Sequence, residues 1–375
     1  MQFAACIGVE ETAARLRAGV HSGRVAHAML FEGKEGSSAL GLARAYAAYL
    51  HCASPTDSDS CGTCSSCKAH AALQHPDLHW SFPFFKADGE ETATSGPFLP
   101  AWRELVRSHP YFGLEEWVGA LGADKKQLFI GVHEALEINR KLGLKAFNGG
   151  FKVLIVWLPE LMRSDTANKM LKLIEEPTEH TVMLFVSEHP ESLLATVRSR
   201  VQAVRVPRLD DAAAAAAIGG LTGLAGDAAL ELAHATDGNL AAAVRLASAE
   251  GATSDHDAFV RWMRACYALD TIGLAACAEG FSKDGREAMK RFCLYGLHMV
   301  RQCIVGNYGA SEVMRLTARE RAFAEKFAPF IHHGNVLDLQ AAFERAHRDI
   351  AGNVNGKLVF LELGFLTHGL LRRPV

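Results

Sequence analysis

The sequence predicts an α/β module, a parallel sheet with flanking helices, followed by a small helical lid domain and then an all-α C-terminal domain. Three observations carry this. A strand-like run, Ala28 to Phe31, is broken by Gly33 and Gly36 and followed by helical periodicity from Leu40 to Leu50. Between Lys152 and Val206, buried-strand and helix patterns alternate in β-α-β-α-β order, which argues for parallel strands. From about residue 254 the pattern is helical, with few turn signals.

Ala28-Met29-Leu30-Phe31 suits a buried parallel strand, and the turn after it has the context of a phosphate-binding loop, G-x-x-x-x-G-K-[ST]. In a working loop, backbone N–H groups surround the phosphates, the lysine reaches the β/γ oxygens and the hydroxyl holds Mg²⁺. The contents here are wrong for that chemistry. Counted from Gly33, the second glycine position holds Ser38, the lysine position Ala39 and the hydroxyl position Leu40. Counted from Gly36, Gly41 restores the glycine, but Leu42 and Ala43 follow. Lys34 lies at the wrong end of the turn to substitute. Neither register can hold Mg-ATP, although an ordinary strand-to-helix turn would read the same way in isolation.

Cys52, Cys61, Cys64 and Cys67 then follow with the spacing C-x8-C-x2-C-x2-C, in a loop of Ser and Asp residues with Pro55 and Gly62. Such a loop cannot pack a core, but four thiolates can wrap a tetrahedral Zn²⁺. A four-ligand site has no open position, so a structural zinc is expected. An iron–sulfur cluster is the main alternative, weakened by the spacing of the fourth ligand and the lack of a redox partner motif. Disulfides are disfavoured because Met1 to Arg17 has neither a basic n-region nor a long apolar stretch, which points to a reducing, cytoplasmic location. Cys6, Cys266, Cys277, Cys293 and Cys303 are scattered and read as small core hydrophobes.

At 375 residues the chain is long enough for two or three domains, and no run of the ~18 apolar residues that span a membrane occurs. A net charge of −3 excludes a global nucleic-acid signature, so any DNA contact must be local or supplied by partners.

In the alternating region, Val153 to Leu158 fits a central strand, Ser164 or Asp165 can cap a helix carrying Ala167, Met170, Leu171 and Ile174, and Pro177 stops it. Val182 to Ser187 is a second strand, Glu191 to Arg198 a short helix, and Val201 to Val206 a third strand.

These residues resemble the delta prime family of bacterial DNA polymerase III clamp-loader subunits, of the AAA+ class. His27 to Gly33, the cysteine quartet after the loop helix, Asn168-Lys169-Met170-Leu171-Lys172-Leu173-Ile174-Glu175-Glu176-Pro177 and Ser199-Arg200-Val201 follow the family in order. The likeness is specific across about residues 1 to 80 and 145 to 250. The resemblance implies that the family's ATP-hydrolysing subunits carry an Asp-Glu pair at the end of the strand that here runs from Val153; counted back from Glu175-Glu176-Pro177, those positions hold Trp157 and Leu158, and Glu160 falls too late and is expected to be solvated. The sensor arginine is also missing, because Gly238-Asn239-Leu240 is followed by Ala241. Ser187 matches the first sensor position and is expected to be structural.

The resemblance implies that Arg200, in the family's Ser-Arg-Cys motif, serves in trans as an arginine finger on a neighbour's ATP, its guanidinium neutralising charge on the transferred phosphoryl group. Valine replaces the motif's cysteine. The competing reading is a surface arginine in a salt bridge. The resemblance further implies a degenerate AAA+ domain over residues 1–206, a lid over 207–250 and an oligomerising collar over 251–375. Its partners would be tau or gamma and delta subunits in a five-subunit ring, with the sliding clamp and primed DNA reached through the complex, and this chain would bind no ATP.

An insertion from Asp88 to Lys126 opens with a polar stretch and carries Trp102, Tyr111, Phe112 and Trp117, which could stack on single-stranded bases or pin the insertion to its own domain. Ala212 to Ala217 starts the lid, which ends near Ser248 and places Leu230, Ala233 and His234 on one face. Farther on, Phe259, Met263, Cys266 and Tyr267 share a face, Leu337, Ala341, Phe343 and Ala346 share another, and Leu358 to Leu371 closes the chain. His332 and His333 are expected at the surface.

Two functions of other classes remain in view. An autonomous AAA+ ATPase of gamma/tau type would reveal itself by nucleotide titration. A zinc-containing DNA-binding repair module would show salt-dependent binding, but only Lys68 and His70 stand near the cysteines as basic groups.

Overall fold

Continuous apolar runs form the centre of a parallel five-stranded sheet in this computed structural model, which describes residues 1–86, 93–123, 126–147, 149–247, 251–309 and 313–374. The strands are β1 (Ala28–Glu32), β2 (Leu78–Ser81), β3 (Lys152–Trp157), β4 (Thr181–Ser187) and β5 (Gln202–Arg205), in the order β2-β3-β4-β1-β5. Leu30 lies opposite Phe185 and Ala203, and Ile155 opposite Trp80 and Leu184. β1, β3 and β4 are buried along almost their whole length, as strands covered on both faces must be.

Alternation along the strands separates two apolar layers. Met29, Phe31, Val153, Ile155, Trp157 and Leu184 pack with α1 (Glu10–His21) and α2 (Ala39–His51). Leu30, Leu154, Val156 and Phe185 point the other way. The short α3 (Ser65–Ala71) follows the cysteine loop, α4 (Leu99–Ser108) and α5 (Leu114–Ala120) form the insertion, and α6 (Val132–Leu142) and α7 (Ser164–Glu175) cover the second layer. The insertion is stapled at its base, where Phe84 and Phe129 exchange backbone hydrogen bonds of 3.0 and 2.9 Å. Its polar opening falls largely outside the described residues.

Several local expectations need correction. Neither Ser164 nor Asp165 stands at the N-cap of α7, which starts at Ser164 with Arg163 before it in extended backbone, but from inside the first turn Asp165 Oδ1 accepts the Thr166 N–H at 2.8 Å. The helix expected from Glu191 to Arg198 is a 3-10 turn at Pro190–Ser192, then extended Leu193 and Leu194, then α8 (Ala195–Arg198). Glu160 is half-buried, because the loop after β4 comes beside it and the N–H groups of Glu188 and His189 donate to its Oε1 at 2.9 and 3.0 Å. The four insertion aromatics are all buried, so they hold the insertion to its domain and are not available to bases.

The chain divides into two units, Met1–Ala217 with Asn239–Ala241, and Ile218–Gly238 with Ala242–Val375. α9 (Asp211–Thr222) begins in the first and ends in the second; α10 (Asp227–Ala235) and most of α11 (Leu240–Ala247) belong to the second. The lid's expected end near Ser248 lies outside the described residues. On α10, Ala233 is buried and His234 half-buried, but Leu230 is exposed.

The second unit continues with α12 (Gly251–Ala268), α13 (Thr271–Asp284), α14 (Arg286–Asn307), α15 (Ala318–Phe327), α16 (Val336–Ala351) and α17 (Gly356–Leu371). Its core gathers Phe259, Trp262, Phe292, Phe343 and Phe360. Tyr267 is 39% exposed and leaves the buried face of Phe259, Met263 and Cys266. On α16 the buried face is Leu339, Phe343, Ala346 and Ile350, while Leu337 and Ala341 face water. Cys277 is only half-buried; the other four scattered cysteines are in the core. Among the described residues no helix is long and apolar enough to cross a membrane.

Candidate functional site

The loop between β1 and α2 is held by contacts within the protein. α2 begins at Ala39 and Ser38 precedes it, so the register counted from Gly33 is the one that falls on the loop-to-helix junction. The Ser38 hydroxyl donates to Ile7 O at 2.8 Å, and Ser38 and Ala39 are buried. Gly36 has φ +69°, and a Cβ there would lie 2.0 Å from Asn239 Oδ1 and 2.7 Å from the nitrogens of Leu240 and Ala241. The segment after Gly238 therefore rests directly on the loop, which only glycine permits. Asn239 Nδ2 donates to Glu35 Oε2 at 3.3 Å, placing a carboxylate at the loop, the wrong sign for holding phosphate.

At the end of β3, the two positions where the resemblance looks for an Asp-Glu pair hold buried apolar side chains. Trp157 is 2% exposed, and its ring centroid lies 5.1 Å from Trp102 and 5.2 Å from Phe112, both from the insertion. Leu158 is buried with a left-handed backbone, φ 52°. Ser187, ending β4, is fully buried. A cavity of about 730 Å³ opens beside the loop, walled by Gly8, Val9, Gly33, Lys34 and Val206, and its rim mixes arginines with glutamates.

The cysteine quartet converges as its spacing predicts. All four Sγ atoms lie within 4.8 Å of one another, with Cys61–Cys67 at 3.9 Å and Cys52–Cys67 at 3.7 Å. Four thiolates about 2.3 Å from one ion would stand about 3.8 Å apart, so the donor set fits a tetrahedral metal. Gly62, at φ +72°, allows the tight knuckle between Cys61 and Cys64. Backbone N–H groups aim at the sulfurs: Cys61 N at Cys52 (3.2 Å), Cys64 N at Cys61 (3.4 Å) and Cys67 N at Cys64 (3.4 Å). The Cys64 N–H leads the effects that lower the Cys61 thiol to about 6, whereas burial pushes Cys67 up to about 12. A bound cation would pull both toward thiolate.

A neighbouring cluster was not legible in the sequence. His51, His70 and His75 bring one ring nitrogen each within 4.8 Å. The geometry is nevertheless that of a proton-ordered chain and not a ligand set. His51 Nε2 lies 2.7 Å from Phe151 O, which can only accept, so the hydrogen-bond network assigns its proton to Nε2. His51 Nδ1 then accepts from His70 Nε2 at 2.7 Å, and His75 Nδ1 accepts the Asp77 N–H at 3.2 Å. The His51 and His75 rings stack at 4.1 Å and 8°, and stacked rings cannot aim in-plane lone pairs at one ion. Burial, with the charge of His75 second, holds His51 down to about 4, and burial, with the charge of His51 second, holds His70 to about 2.

Comparison with known proteins decides the family. The family profile described as "DNA polymerase III, delta subunit" matches residues 8–210, more than half of the chain. The chain belongs to this family. Among curated relatives, the delta' subunit of Yersinia pestis is 32% identical over 48% of this chain and 42% of its own, and that of Escherichia coli K12 is 29% identical over 50% and 44%. The gamma/tau subunit of Mycobacterium tuberculosis H37Rv is 27% identical over 53% of this chain and 27% of its own. The chain thus spans less than half the length of the curated relatives it matches. A solved gamma subunit-related protein of Thermotoga maritima superposes over 96% of this chain and 99% of its own at 13% identity and a TM-score of 0.42, too loose a match to build on.

In this clamp-loader, delta prime-like chain, Arg200 follows α8 at the domain surface, its side chain 39% exposed. Its Nε donates to Glu175 Oε1, at the end of α7, and its Nη1 to Thr196 O at 3.0 Å and Ser199 Oγ at 3.3 Å. The surface salt bridge named as the competing reading is therefore present, and it orients the guanidinium without burying it. Lys169 and Lys172 lie exposed on the same α7.

Proposed function

We propose that this chain is a non-hydrolysing, delta prime-type subunit of a DNA polymerase III clamp loader. It stands beside an ATP-binding tau or gamma subunit and a delta subunit in a five-subunit ring, supports loading of the sliding clamp on primed DNA, and gives Arg200 to the neighbour's ATP site. Residues 1–206 act as the degenerate AAA+ domain, 207–250 as the lid and 251–375 as the collar, in the cytoplasmic, nucleoid-associated replisome. The four cysteines hold zinc, which supplies a rigid cross-link and no chemistry.

The observation that supports this reading best is the filling of the β3 end by Trp157, packed against Trp102 and Phe112, while Arg200 stays at the surface. A site that lacks the loop lysine, the Mg²⁺ hydroxyl and the acids has lost the side chains that grip or activate a triphosphate. An exposed guanidinium can serve an adjoining site.

The test is reconstitution with ATP-binding and delta-type partners. The isolated chain should show no saturable binding of Mg-ATP at millimolar concentration. In the complex, Arg200→Ala should leave assembly intact and slow ATP turnover at least about tenfold, a conservative share of what an arginine finger contributes. Normal turnover with the alanine variant removes the finger; saturable nucleotide binding by the isolated chain removes the non-hydrolysing assignment.

A further inference from the structure

The cysteine loop does more than close on itself. Asp59, between Cys52 and Cys61, accepts the Phe3 N–H on Oδ1 at 3.1 Å and the Ala4 N–H on Oδ2 at 3.0 Å. Gln2 Nε2 donates to Ser60 O at 2.6 Å. These bonds fix the 3-10 turn Phe3–Ala5, whose Phe3 is buried with its ring 5.6 Å from Tyr49 of α2. Beyond the turn, Ile7 O takes the Ser38 hydroxyl, and Gly8 and Val9 form a wall of the cavity at the remnant phosphate loop.

From this continuity we infer that the metal-loaded cysteine loop is a clamp on residues 2–9, and that metal occupancy sets the order of the wall of the phosphate-loop cavity. The loop from Cys52 to Cys67 is polar, contains Pro55 and carries almost no apolar side chain, so without a metal little pays the entropy of ordering it. When the loop is released, the Asp59 carboxylate and the Ser60 carbonyl leave with it. Phe3 and Ala4 then lose their acceptors, and the strap of residues 2–9 keeps the apolar burial of Phe3, Cys6 and Val9, the Arg17 contact on the Phe3 ring and the Ser38 bond. By linkage the coupling runs both ways, and an ordered strap favours metal binding. Asp59 is thus a positioning residue: it touches no metal, yet transmits the state of the quartet.

The inference rests on the cysteines binding metal, not on the clamp-loader reading, so metal content is measured beside it. Amide hydrogen exchange on the full chain, zinc-loaded and then chelator-stripped, is the test. Stripping should speed exchange of residues 3–9 by about tenfold or more, with β3 and α14 unchanged. Asp59→Ala, which keeps all four cysteines, should retain its zinc and loosen the same residues. Should that variant lose zinc, Gln2→Ala, outside the loop, must show the loosening. Residues 3–9 that stay protected while 52–67 exchanges freely would overturn the clamp, as would a chain that binds no zinc.

Discussion

Arg200 illustrates how one side chain can be both paired and available. Its partner Glu175 is 46% exposed, and an ion pair in that setting is worth about 0–1 kcal/mol once solvent screens it. That is too little to trap the guanidinium, but enough to choose one rotamer among many. Removal of Glu175 is therefore expected to cost orientation and not fold. Glu175→Ala should leave stability within about 0.5 kcal/mol of wild type. In the reconstituted complex it should lower kcat for ATP turnover by about two- to tenfold with little change in KM, a smaller loss than Arg200→Ala. Steady-state kinetics of the two variants and their double mutant decide it: if Glu175 acts only through Arg200, the double mutant is no worse than Arg200→Ala, and an additive loss would refute the positioning role.

At the scale of elements, the insertion packs onto the end of β3 through Trp102 and Phe112. Trp102 of α4 is fully buried, stacked 4.4 Å from Phe82 and within 5.1 to 5.7 Å of Trp157, Trp117, Phe112 and Trp80. Truncating it empties the centre of that cluster, so Trp102→Ala should destabilise the first unit by about 3–5 kcal/mol, read by denaturant unfolding. It should not create Mg-ATP binding, because Ala39 and Leu40 still lack the loop's charge and hydroxyl. A variant that unfolds at the wild-type denaturant concentration would show that the insertion is not part of the core. The same cluster shows where sequence reading stops. β1, β3 and β4 were legible because strands buried on both faces read as continuous apolar runs. β2 was missed: four residues interrupted by His79 carry too little pattern. The cysteine quartet was legible because its ligands lie within one loop. The Asn239 contact to Glu35, 204 residues away, and the cluster of His51, His70 and His75 were not, because no periodicity links residues that only tertiary packing brings together.

Over the whole molecule, charge and burial pull the pH response in different directions. With a pI near 6.6 and a net charge of −3, self-repulsion is weak around neutrality and solubility should be lowest near the pI. Stability should not follow that curve. Burial, then the nearby Lys141, holds His79 of β2 down to about 4, and burial also lowers His256 and His298 in the second unit. A histidine whose folded pKa lies below its unfolded value of about 6.5 stays neutral while the unfolded chain takes up a proton. Its contribution is fully present above pH ~6.5 and is lost as pH falls from there toward the folded value, here about 4. Tm should therefore fall steadily from about pH 7 to pH 5, through and below the pI, with no maximum there. Because acid also displaces metal from thiolates, the discriminating measurement is a difference: the Tm gap between wild type and His79→Gln at pH 7.5 and at pH 5.5. Metal loss is common to both proteins and cancels. The wild-type Tm minus that of His79→Gln should be lower at pH 5.5 than at pH 7.5, since only the wild type carries the titrating ring, and a difference that rises would reverse the sign assigned to His79.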